Sequence, residues 1–115
     1  MVTIKPIEPA AIDFYNESRF YGDVNGLVAS NGLKTCGHSL FRIEGDVTIV
    51  LEIKADDDFL FDGIMRASIA KGESYGAHSF VCDEEGALVE NWMSIYCKNC
   101  DLPIANHIIF NSECS

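Results

Sequence analysis

Two cysteines three positions apart, Cys97-Lys98-Asn99-Cys100, form the sharpest local motif in the chain. That spacing serves two chemistries. A redox pair places its nucleophile at a helix N-terminus, where the dipole favours thiolate. Here the pair follows an apolar helical pattern and stands at its C-terminal end, where the dipole opposes thiolate. A zinc site needs two further ligands, for which Cys36, His38, Cys82, His107 and Cys114 are the candidates. No second Cys-x-x-Cys accompanies the first, so no metal is assigned. The five cysteines are odd in number and irregularly spaced, and the N-terminus shows no basic stretch followed by an apolar run. Reduced thiols buried as small apolar side chains, in a cytoplasmic protein, are the expectation. His38, His78 and His107 read as strand histidines. No Ser-His-Asp arrangement can be inferred, and there is no nucleotide-binding glycine loop.

The elements that would position such residues are legible from period and punctuation. Thr3–Ile7 reads as a short strand, and Pro9 opens a helix running to about Ser18. Asn31-Gly32 between two apolar runs predicts a tight hairpin joining a strand from Gly26 to one from Leu33 to Ile43, with Gly37 a bulge or close-approach point. A turn at Glu44-Gly45-Asp46 leads to Val47–Lys54, where Val47, Ile49, Leu51 and Ile53 share one face and Thr48, Val50, Glu52 and Lys54 the other. The period then changes. Phe61, Ile64, Met65, Ser68, Ile69 and Gly72 fall on one side of a helix preceded by Asp56, Asp57 and Asp58, residues suited to its positive end. Ala77–Cys82 predicts a strand, and Ala87 to about Asn99 a helix apolar over much of its circumference and therefore well buried. Pro103 blocks that helix, and Ile104–Phe110 predicts a last strand. Strand, helix and strand over residues 47–82 make a βαβ unit with two parallel strands. A chain of 115 residues has room for one domain, residues 1–115.

This order, with Gly26-Leu-Val-Ala-Ser-Asn-Gly followed by Gly37-His-Ser-Leu-Phe-Arg-Ile-Glu-Gly-Asp-Val-Thr-Ile-Val-Leu-Glu-Ile53 and the later Tyr96-Cys-Lys98, resembles the GNAT superfamily of acyl-CoA N-acyltransferases over about residues 26–110. The resemblance implies an α+β fold: a central twisted mixed sheet, an antiparallel meander followed by a βαβ unit, and helices on both faces. It implies acetyl-CoA as cofactor, Glu52 as the carboxylate base for an acceptor amine, and Tyr96 as the phenol that returns a proton to the leaving thiolate. It also implies that the backbone at Ile53, Lys54 and Ala55 hydrogen-bonds the pantetheine arm. In the family, a loop reading Arg/Gln-x-x-Gly-x-Gly/Ala holds the cofactor pyrophosphate at a helix N-terminus. Aligned here, Asp58 takes the basic position, Phe61 the first glycine and Gly63 the last, so only Gly63 matches. Asp56, Asp57, Asp58 and Asp62 would stand near the phosphates, where each like-charge pair near 5 Å costs about 1–3 kcal/mol at effective dielectrics of roughly 80 to 20. The same aspartates can cap the helix themselves. Val89 stands where the family often has asparagine, Asn91 is out of register, and Cys100 replaces the glycine after tyrosine-x-lysine.

The formal charge of −10, from 18 acidic and 8 basic residues, argues against nucleic acid and against anionic membrane surfaces as partners. No stretch reaches the roughly 18 apolar residues of a membrane span. Two functions follow. The first is a divergent acyl-CoA-dependent N-acetyltransferase with a small-molecule or protein amine as acceptor. The second is a non-catalytic GNAT-like protein without bound cofactor, acting as an acidic protein-binding or inhibitory module on a protein partner; a homodimer is compatible with either. The discriminating feature is the splay between the strands Val47–Lys54 and Ala77–Cys82. An open V with free backbone groups keeps catalysis available, and a closed, paired one removes it.

Overall fold

The computed structural model describes residues 1–98 and 100–111, so Cys114 and the Asn99 link of the Cys-x-x-Cys motif lie outside the described residues. In chain order the elements are β1 (Val2–Pro6), α1 (Pro9–Asn16), β2 (Asn25–Asn31), β3 (Lys34–Glu44), β4 (Val47–Ala55), α2 (Asp58–Ser74), β5 (Ser79–Cys82), α3 (Ala87–Tyr96), β6 (Ile104–Ala105) and α4 (Asn106–Asn111). The strands form one open six-stranded sheet in sequential order. All neighbours are antiparallel except β4 and β5, which α2 connects as a parallel pair. The fold is α+β.

Two hairpins of the same design fix the register of the meander. Gly32 and Gly45 each occupy the first of two turn positions, with φ of +67° and +63°, values that cost glycine nothing. Bulges then break the alternation twice. Cys36 is the extra residue opposite Ala29 and Ser30, immediately before Gly37. A Cβ on Gly37 would stand 2.6 Å from the Lys54 carbonyl oxygen and 2.7 Å from Ile64, so β3 approaches the end of β4 only through glycine. Leu51 is the extra residue of β4, between Val50, which pairs with Phe41, and Glu52, which pairs with Leu40. This corrects the strict alternation expected along the strand. Beyond the bulge Ile53 joins Val50 on the α2 side, while Leu51 stays with Ile49 on the α1 side.

The larger core lies between the sheet and α2, α3 and α4, and the smaller one beneath α1. The face of α2 predicted from its period, Phe61, Ile64, Met65, Ser68, Ile69 and Gly72, is the buried face. Two expectations are corrected. The helix α3 ends at Tyr96 and is one-sided, burying Val89 and Trp92 while Ile95 stays 60% exposed. Residues Ile104–Phe110 do not form one strand. Only Ile104 and Ala105 pair with β5. Asn106 then donates its backbone N–H to the His78 carbonyl and its side-chain amide to that of Ala77, and the chain turns into α4, which buries Ile109. A short apolar run suits a strand and a buried helical turn equally.

Candidate functional site

The parallel pair β4–β5 is short. It runs from Val47 opposite Ser79 to Val50 opposite Cys82, and the Asp83 N–H closes it on the Val50 carbonyl at 2.9 Å. Beyond that point β4 continues through Leu51–Ala55 with β3 on one side and a notch on the other. The Leu51 bulge sits at the parting, as expected of a device that twists a strand away from its neighbour. The V is therefore open, but its exposed donor is taken. The Ile53 N–H donates to Glu84 Oε2 at 2.5 Å, and the Lys54 ammonium reaches Glu84 Oε1 at 3.1 Å. Glu84 comes from the loop after β5.

On the α1 side of the same strand stands an acid–base cluster around one buried carboxylate. Glu52, with an 8% exposed side chain, accepts Arg19 Nη1 at 2.6 Å on Oε1. Its Oε2 accepts Arg19 Nη2 at 2.9 Å and meets His38 Nε2 at 2.8 Å. Tyr15 covers the imidazole, ring centroids 4.9 Å apart. Arg19 is aimed by the end of α1. Glu17 and Ser18 turn the chain with φ of 51° and 60°, the Asn16 side chain brackets Phe20 through both its N–H and its carbonyl, and Arg19 itself donates to the carbonyls of Tyr15 and Asn16. The Arg19 guanidinium, then the His38 contact, hold the Glu52 carboxyl at about 2 against the opposing effect of burial. Asp13, Phe14, Tyr15, Glu17 and Lys54 complete a cavity of about 870 Å³ around Arg19, His38 and Glu52.

Tyr96 lies elsewhere. It packs on Trp92 at 5.3 Å and beneath the Arg66 guanidinium at 4.9 Å, against the α2-side core. Arg66 Nε and the Trp92 indole N–H both donate to Asp62 Oδ1 at 2.8 Å. A small cleft of about 210 Å³ runs from Tyr96 and Trp92 to Asp58 and Phe59 at the start of α2. That start follows β4 after Asp56 and Asp57 alone, and Asp57 caps it by accepting the Leu60 N–H at 2.8 Å. Gly63 stands inside α2, where a Cβ would meet Ile4 at 3.7 Å. Of the residues singled out from sequence, Glu52, Ile53, Lys54 and Ala55 follow one another at the end of β4, with Glu52 and Lys54 lining the cavity, while Tyr96 lines the smaller cleft and Gly63 stands within α2.

No protein-family model and no curated protein matches this sequence. Solved structures do match its fold. The ribosomal-protein-S18-alanine N-acetyltransferase of Escherichia coli superposes with a TM-score of 0.62 at 14% identity, over 83% of this chain and 76% of that one. A ribosomal-protein-alanine N-acetyltransferase from Brucella melitensis gives 0.61 at 15% identity, over 88% and 92%. The aminoglycoside N-acetyltransferase AAC(6')-Iy, solved with CoA, gives 0.61 at 7% identity, over 90% of each chain. The fold of this chain is therefore that of the GNAT acetyltransferases.

CoA, the cofactor that fold implies, fits these residues in part. The β4 edge has a backbone donor suited to an amide-bearing arm, the Ile53 N–H, but Glu84 occupies it. The start of α2 offers the phosphates little, because Asp57 takes a free N–H and Asp56, Asp58 and Asp62 add negative charge nearby. Burial pushes Cys97 up to about 11, against thiolate at neutral pH. Among the described residues no three His, Cys, Asp or Glu side chains converge as a metal site would require. Of the histidines only His38 lies in a strand; His78 precedes β5 and His107 sits in α4. Sequence reasoning missed Arg19, the pairing of His38 with Glu52, and Glu84. His38 faces Lys54 and lies diagonal to Glu52 only because of the Leu51 bulge, and a leucine does not announce a bulge.

Proposed function

We propose that this chain is an N-acetyltransferase of divergent design, in which the β4–β5 notch takes the arm of an acyl thioester and the adjoining cavity takes an amine acceptor. The observation that carries this reading is the position of Lys54, which lines the acceptor cavity and reaches Glu84 in the notch. The two compartments border one another at one strand end, as transfer between two substrates requires. Acetyl-CoA, when bound, would supply the activated acyl group. A carboxylate held at about 2 is a poor proton acceptor at neutral pH. Glu52 therefore acts as the positioning residue, orienting the His38 ring that lines the acceptor cavity as its candidate base. Tyr96 serves as a wall under Arg66.

The start of α2 favours a second reading, a non-catalytic GNAT-fold protein acting as an acidic protein-binding or inhibitory module, since its phosphate-binding N–H groups are partly used internally. Calorimetric titration with acetyl-CoA at low salt separates the two. The first reading expects binding below millimolar concentration. Absence of heat up to millimolar ligand would remove it and leave the second.

A further inference from the structure

The notch between β4 and β5 is filled by the protein itself, and the filling group is chemically suited to be exchanged. We infer that Glu84 is the resident occupant of the acyl-arm slot, a carboxylate standing where an incoming amide carbonyl would accept the same hydrogen bonds, so that a ligand enters by displacing it. This rests on the reading of the notch as the thioester site. The slot presents two donors to Glu84, the Ile53 N–H at 2.5 Å and the Lys54 ammonium at 3.1 Å. Donors of that kind take any oxygen acceptor of suitable reach, a carboxylate or an amide carbonyl.

Displacement needs no unfolding. The loop carrying Glu84 is fixed at both ends, by the Asp83 N–H on the Val50 carbonyl and by the Gly86 carbonyl, which accepts the Glu90 N–H of α3. Between those anchors the Glu84 side chain can swing out about its own torsions and be hydrated as an ordinary surface carboxylate. Lys54, 61% exposed on its side chain, remains solvated when its partner leaves. The backbone N–H is the group that cannot be left bare. It needs an acceptor whether Glu84 or a ligand supplies it. A charge-assisted bond to that N–H makes Glu84 a real competitor, weakening arm binding by about tenfold or more.

The test uses S-acetylpantetheine, which carries the arm and the acyl group without phosphates, titrated calorimetrically into the full chain and into Glu84→Ala and Glu84→Gln. The inference expects about tenfold tighter binding to Glu84→Ala, with Glu84→Gln between the two because its neutral carbonyl still accepts the bond. Equal binding to all three overturns the occupant role and leaves the thioester site standing; no binding to any of them overturns both. A readout without ligand is the amide proton resonance of Ile53 in the nitrogen-15 correlation spectrum. It is expected far downfield in the native chain and shifted upfield in Glu84→Ala. An unchanged Ile53 resonance in a folded variant would overturn the contact itself.

Discussion

The two flanks of the β4–α2 junction, separated only by Asp56 and Asp57, have opposite characters. On the strand flank the backbone is open: β4 outruns β5 by the length of Leu51–Ala55, and buried Glu52 with half-buried His38 borders the gap. On the helix flank the backbone is closed, with the cap made by Asp57 and the next turn tied by Asp62 to Arg66 and Trp92. The difference teaches which parts of such a site are robust. A splay and a bulge are set by the backbone geometry of the sheet. A phosphate cradle depends on leaving helix N–H groups unsatisfied, and one aspartate at the N-cap is enough to take one of them.

Substitutions can break each flank separately. The largest effect is expected from Gly37→Val, since even a Cβ there falls 2.6 Å from the Lys54 carbonyl oxygen. A loss of about 3 kcal/mol in urea unfolding is expected, together with loss of the notch; native stability would refute the close approach of β3 to the end of β4. Arg19→Ala should cost about 2 kcal/mol at neutral pH, discounted because the Arg19 side chain is 42% exposed.

The pH dependence of stability sharpens the same point. Glu52 has a folded value of about 2 against an ordinary 4.5, so its contribution is present above about pH 5 and is lost as pH falls toward 2. Urea midpoints measured across that window should slope steeply in the native chain and less in Arg19→Ala; equal slopes would remove Glu52 from the account. On the helix flank Asp57→Ala should cost about 1 kcal/mol by the same unfolding measurement, and Asp57→Ser much less. Smallest is Asp58→Arg, expected to tighten acetyl-CoA by about threefold through the helix N-terminus while leaving S-acetylpantetheine unchanged. An equal gain for both ligands in calorimetry would show that the phosphates are not what the introduced guanidinium meets.

Much of the scaffold was legible because its signals are local. The turn glycines at 32 and 45 fix the meander, and the 3.6 period from Phe61 to Gly72 marks the buried face of α2. Ile104–Phe110 was misread because Ile108, Ile109 and Phe110 carry no period long enough to separate strand from helix. The site was legible only where strand position decides it. Glu52, Ile53 and Lys54 follow from the end of β4. Arg19 depends on two left-handed residues after α1, His38 on the Leu51 shift, and Glu84 on a side chain reaching back across a strand gap. Each of these is a tertiary event between segments far apart in sequence, with no local composition to mark it.

The central claim is that an acyl thioester meets this protein at the strand flank and not at the helix flank. Mapping nitrogen-15 amide shifts during titration with acetyl-CoA tests it most directly. The account predicts the largest perturbations at Leu51–Lys54 and at the loop of Asp83, Glu84 and Glu85, with Asp58, Phe59, Leu60 and Phe61 moving much less. Shifts concentrated on those α2 amides, with Ile53 unchanged, would contradict it.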